Sequence, residues 1–122
     1  MKNLIIDATK DEVFFSVITN TQSYNTSYIN SRENFDKFMD FLLDFFKKNK
    51  IQLKDIEKIF FNEGPGKLSN IRASVATAKA IALSNNISLY GFNSKDFDGK
   101  DYKKLIKLEK NNKLNKDLIN TQ

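Results

Sequence analysis

Few residues in this chain are able to do chemistry. With neither histidine nor cysteine among its 122 residues, imidazole bases, thiolate nucleophiles, disulfides and His/Cys metal sites are excluded. Carboxylates, lysines, tyrosines and backbone N–H groups remain. Two acids stand where strands should end: Asp7, closing the apolar run Asn3 to Thr9, and Glu63, just after Ile59-Phe60-Phe61. On neighbouring strands they would share one end of a sheet, which is how a metal-dependent nuclease begins its site. Such a site needs further acids around two Mg²⁺ ions about 4 Å apart. The third acid is missing, because Asp36, Asp40 and Asp44 fall on the polar face of their helix, opposite its apolar stripe. A Mg-dependent nuclease is therefore an alternative reading, and no metal ligands are assigned.

Backbone chemistry has a better candidate. The only proline and two of the four glycines sit together in Glu63-Gly64-Pro65-Gly66, a strand-to-helix corner. Ser69 or Asn70 is placed to cap the following helix, which would aim the free N–H groups of its first turn and of the loop at one small volume suited to an anion. A tight connection needs glycine whatever it binds, so the corner is equally explained by geometry. It is no Walker A loop, because no glycine stands six residues before Lys67.

The elements that position this corner can be read in order. Asn3 to Thr9 is a buried strand. Glu12 to Thr19 follows closely enough to form an antiparallel hairpin with it. Gln22 to Ile29 is more polar and suits an edge. A helix from about Arg32 to Lys48 follows, with Asn30 and Glu33 spaced as a capping box. Its residues Phe35, Met39, Leu42 and Phe46 form one stripe, which Phe38, Phe41 and Phe45 widen to about 200°, beyond the roughly 100° that one contact surface needs. The excess predicts a partner helix, the alternative being a single wide core face under a long loop. Ile51 to Ile56 carries a turn, Lys58 to Asn62 is the strand before the corner, and Ile87 to Phe92 is a final strand. Between those two strands runs a helix apolar or small nearly all round: Ile71, Val75, Ala78 and Ala82 on one side, Ala73, Ser74, Ala80 and Ile81 on the other. Such a helix is expected to lie on a sheet with one face and on a neighbouring helix with another. The order βββαβαβ predicts an α/β fold, a mixed five-stranded sheet of order 3-2-1-4-5 with helices on its faces.

The stretch GPGKLSNIRASVATAKAIA resembles the signature of the TsaB (YeaZ-type) family, the accessory subunit for making threonylcarbamoyladenosine in tRNA, written Gly-Pro-Gly-Ser-Phe-Thr-Gly-(Leu or Val)-Arg before an Ala-rich helix. Gly64, Pro65, Gly66 and Arg72 match directly, and Leu68, Ser69 and Ile71 match by type. Lys67 stands for the usual Ser and Asn70 for a Gly. The resemblance covers roughly residues 1–93 and implies a single lobe of the actin-like, RNase H-like superfamily. At the first turn, Asp7-Ala8-Thr9 resembles the Asp-Thr-Ser of the family's phosphate loop. The turn Thr9-Lys10-Asp11 lacks the glycine that lets backbone approach a phosphate, so Asp7 is a degenerate phosphate-loop acid. No cofactor is expected on the chain alone, with ATP or ADP and Mg only within a complex.

The resemblance implies a non-catalytic scaffold that pairs with a TsaD-type catalytic subunit, with itself as a homodimer, and with a TsaE-type ATPase, meeting tRNA indirectly at position 37. The expected contact surface is Phe38, Phe41 and Phe45 of the first helix with Ser74, Thr77, Ala78 and Ile81 of the second. An acid at Phe41 or Phe45 is expected to abolish association and leave the fold intact. Residues 94–122 form a Lys/Asn-rich tail, partly helical around Tyr102 to Lys110 and otherwise disordered. A net charge of +5 spread over dispersed lysines favours a solvated surface over a phosphate-reading patch. The aromatics do not alternate with basic residues as stacking platforms do, which leaves a Lys-rich RNA-binding module as a further alternative. No apolar run approaches the roughly 20 residues that span a bilayer, and a cytoplasmic protein is expected.

Overall fold

The structure, a computed structural model, describes residues 2–66, 68–94 and 115–116. Six strands form one sheet in the order β3-β2-β1-β4-β5-β6: β1 (Lys2–Asp7), β2 (Glu12–Ile18), β3 (Ser23–Ile29), β4 (Ile56–Asn62), β5 (Ser88–Phe92) and β6 (Asn115–Lys116). β1, β2 and β3 are antiparallel neighbours, whereas β4 runs parallel to β1 and β5 parallel to β4. The helices are α1 (Phe38–Lys48) and α2 (Leu68–Asn85). The expected order of the first five strands holds. The short β6 adds an antiparallel neighbour to β5, whereas the expected helix near Tyr102 to Lys110 lies outside the described residues.

The parallel crossings explain the apolar runs in β1 and β4. A strand buried on both faces has no solvent side to alternate with. Leu4, Ile5 and Ile6 of β1 and Ile59, Phe60 and Phe61 of β4 are all buried. One face of the sheet carries Leu4, Ile6, Phe15, Val17, Ile59, Phe61 and Leu89, and both described helices close over it with Leu42, Phe45, Phe46, Ala78, Ile81 and Ala82. The other face carries Ile5, Ile18, Phe60 and Phe92, with Phe14 and Tyr90 beside them. Removing each such side chain from water contributes roughly 1.5–3 kcal/mol.

The first helix differs from its sequence reading at the start. Arg32–Lys37 is 3₁₀ and only Phe38–Lys48 is α, with no side-chain cap at either beginning. The Asn30 amide is already committed: it donates to the carbonyls of Ala8 (3.1 Å) and Lys10 (2.8 Å). Tying β3 to the β1–β2 turn thus takes precedence over the capping box, and the first turns tighten instead.

Candidate functional site

The ends of β1, β4 and β5 meet at the corner that leads into α2. Asp7 is 4% exposed, the only buried charged side chain among the described residues. One carboxylate oxygen accepts the Thr9 backbone N–H (3.1 Å) and the Thr9 hydroxyl (2.7 Å). The other accepts the Asn62 amide (3.1 Å), which also reaches the Ser94 hydroxyl (3.2 Å). The Asn62 side-chain carbonyl in turn accepts the Gly64 N–H at 2.9 Å, and the Gly64 carbonyl accepts the Ser94 N–H at 3.0 Å. One hydrogen-bonded relay therefore joins the ends of three strands to the loop.

Glycine is needed twice in that loop. Gly64 has φ +120°, in the region that side chains resist, and a Cβ on Gly66 would lie 2.4 Å from the Thr9 carbonyl oxygen. The corner is therefore pressed onto the β1–β2 turn. Ser69 and Asn70, expected as caps, lie inside the first turn of α2, which begins at Leu68, while the Gly64 N–H is spent on Asn62. Pro65, Ser69 and Arg72 are exposed. Sequence reasoning missed Asn62. Its signal was a lone amide ending an apolar strand, one position before Glu63 and beside the acid of the neighbouring strand.

Beside the corner lies a cleft of about 380 Å³ between the end of β4 and the first turns of α2. Phe61, Ile71, Val75 and Ala76 line it, with Glu63, Arg72 and Lys79 at its charged edge. Such a cleft holds an apolar group by contact and an attached polar group by charge. Among the described residues no three acids come together as a metal site would require. Asp36, Asp40 and Asp44 are exposed.

The residues expected on a helical contact surface divide in two. Phe38, Phe45, Ser74, Ala78 and Ile81 are buried in the chain's own core, which corrects the expectation that they are displayed to a partner. The cause is the strand pair under α1. The Phe15 ring meets Phe38 edge-on at 5.1 Å and Phe45 at 6.2 Å, and Tyr28 stacks on Phe41 at 4.1 Å. The wide apolar arc of α1 is thus largely covered from within. Phe41 and Thr77 remain part-exposed, and the structure adds Leu43 (50% exposed) and Leu83 (59%).

A family model described as tRNA N6-adenosine threonylcarbamoyltransferase (TsaD) matches residues 7–97. The tRNA threonylcarbamoyladenosine biosynthesis protein TsaB of Buchnera aphidicola subsp. Schizaphis graminum (strain Sg) is 30% identical over 91 residues, 75% of this chain and 43% of that protein. Among solved structures, YeaZ from Pseudomonas aeruginosa is similar with a TM-score of 0.70 at 13% identity, again over 75% of this chain and 43% of that one. RuvC of T. thermophilus, in complex with a Holliday junction substrate, gives a TM-score of 0.56 at 10% identity over 79% of this chain and 66% of that one. At those identities the two structures share the actin-like, RNase H-like fold and nothing finer. The aligned part of this chain spans less than half the length of the TsaB and YeaZ proteins it matches.

Proposed function

The chain belongs to the TsaD family, and from that membership and its likeness to TsaB we propose that it serves tRNA N6-threonylcarbamoyladenosine formation as an accessory chain with no catalysis of its own. It acts by binding a TsaD-type catalytic subunit through the exposed side of α1 and α2. Nucleotide and Mg²⁺ enter only within that complex, where a TsaE-type ATPase is a further partner. tRNA is met indirectly, in the cytoplasm.

The observation that carries the non-catalytic part is the state of Asp7. The acid that the superfamily sets beside its phosphate loop is here the acceptor for Thr9 and Asn62, and Gly66 packs on the Thr9 carbonyl at the same turn. A carboxylate holding several donors is a structural anchor, not a group waiting for a ligand. The docking part is supported by Leu43 and Leu83, large apolar side chains left in water on the two helices; Phe41 and Thr77, on other faces of the same helices, are part-exposed. A nuclease reading lacks comparable support, since no three acids come together among the described residues.

The test is light scattering after size-exclusion chromatography of the chain, alone and mixed with the TsaD-type protein of the same cell. A stable mixed complex is expected. Leu83→Asp should lose it while keeping the wild-type melting curve. A chain that ignores the TsaD-type protein overturns the proposal, as does a complex indifferent to charge on α1 and α2.

A further inference from the structure

Among the described residues β3 has a neighbour on one side only. Natural sheets protect such an edge with lysine, proline, a bulge or shortness. Here Ser23-Tyr24-Asn25-Thr26-Ser27-Tyr28-Ile29 is seven residues long and holds no charge, proline or glycine. Its register with β2 runs unbroken from Glu12↔Ile29 to Ile18↔Ser23. Ser23, Asn25, Ser27 and Ile29 are exposed, Ile29 to 68%.

The direction of the backbone groups that turn away from β2 follows from the ladder. Asn30 donates to the Asp11 carbonyl and Thr19 to the Gln22 carbonyl. These are hydrogen-bonded pairs of the β2–β3 register, and such pairs alternate along an antiparallel ladder. Tyr24, Thr26 and Tyr28 therefore face β2 with their N–H and C=O groups, whereas Ser23, Asn25, Ser27 and Ile29 turn theirs outward.

The strand is also its own complement. Folded about Thr26, Tyr24 falls opposite Tyr28 and Asn25 opposite Ser27, with Ser23 opposite Ile29. An antiparallel copy in that register brings Asn25/Ser27 and Ser23/Ile29 together as the hydrogen-bonded pairs, the Ile29 carbonyl already accepting the Asn34 side-chain amide at 2.8 Å. Tyr24 and Tyr28 then face each other on one side, a favourable aromatic cross-strand pairing, while Asn25 meets Ser27 and Ser23 meets Ile29 on the other. Beside the strand, a groove of about 410 Å³ is lined by Thr26, Tyr28, Phe41, Asp44, Lys48 and Asn49 among others. It leaves room for Tyr24 of a second copy. We infer that β3 is a homodimer edge, pairing with β3 of a second copy about a two-fold axis through Thr26 to make one continuous sheet.

This surface is distinct from the α1–α2 surface proposed for the TsaD-type subunit. Two experiments test it. In the first, Thr26→Cys is read on a non-reducing gel after mild oxidation, the native chain having no cysteine. On the axis, two Thr26 positions form a non-hydrogen-bonded pair with roughly 4.5 Å between Cα atoms, close enough to be bridged. A disulfide-linked dimer is expected, with Thr77→Cys on α2 remaining monomeric. Crosslinking of Thr77→Cys in place of Thr26→Cys would assign self-association to the helices and overturn the inference.

In the second, the chain is followed by sedimentation over a concentration series. Dimer is expected to grow with concentration. Thr26→Lys and Thr26→Glu should each lose it at concentrations where the native chain is dimeric, and an equal mixture of the two should regain it. Circular dichroism melts confirm that both variants fold. A native chain monomeric at all concentrations, or a Thr26→Lys chain that still dimerises, overturns the inference.

Discussion

Asp7 shows how one side chain separates a catalytic corner from a structural one. Its two oxygens take three hydrogen bonds from Thr9 and Asn62, so Asp7→Asn would set an NH₂ against donors. The variant should lose about 1–3 kcal/mol of stability, lowering the thermal midpoint by several degrees. A carboxylate kept charged for an absent ligand would instead relieve strain when neutralised, and the midpoint would rise. Tyr28 makes the second residue-scale argument. Burial pushes its hydroxyl well above the ordinary value of 10, because the phenolate would lose hydration among Phe15 and Phe41. The folded state then holds a proton that the unfolded chain releases near pH 10. The stabilisation is complete below that pH and is lost as pH rises from it toward the higher folded value. Denaturant midpoints should fall more steeply between pH 9 and 11 for the native chain than for Tyr28→Phe, and equal slopes would show that Tyr28 titrates in the fold as it does in the unfolded chain.

At the scale of the element, α1 teaches what periodicity conveys. The 3.6-residue spacing identified which residues of the helix are apolar and how wide their arc is, and the residues of Phe38–Lys48 bear that out. Periodicity carries no information about what covers the arc. The strands β2 and β3 raise Phe15 and Tyr28 against Phe38, Phe41 and Phe45, and so cover much of the side the pattern assigned to another protein. Phe45→Ala should therefore cost about 3–5 kcal/mol, the usual penalty for deleting a buried ring, and Phe45→Asp should unfold the chain instead of merely separating it from a partner. Leu43→Asp, half exposed on the same helix, should change stability by under about 0.5 kcal/mol. Urea midpoints of the three variants distinguish the core face from the exposed one. The failed capping box has a similar origin: Asn30 and Glu33 have the right spacing, but the carbonyls of Ala8 and Lys10, distant in sequence, claim the amide first.

For the whole molecule, the sheet order was legible because short connections and one long apolar helix leave few ways to arrange five strands. β6 was not, since Asn115 and Lys116 carry no strand signal and owe their pairing to β5. The relay through Asn62 was hidden for the same reason, an amide's meaning depending on the neighbour that the fold supplies. Charge is a whole-molecule property and bears on the tRNA. The net +5 is unevenly placed along the chain, for residues 95–122 hold eight lysines against five acids. Lysines so interspersed with acids attract phosphate through counterion release and read no sequence. The chain alone should bind labelled tRNA weakly, at roughly 10⁻⁶ M or above, losing most of that affinity between about 50 and 200 mM salt. Mixed with the TsaD-type subunit, binding should persist at the higher salt, because the contacts then belong to the complex. Fluorescence anisotropy across a salt series decides between the roles. Tight, salt-resistant binding by the chain alone would mean that it recognises RNA directly, and the accessory role would give way to that of an RNA-binding module.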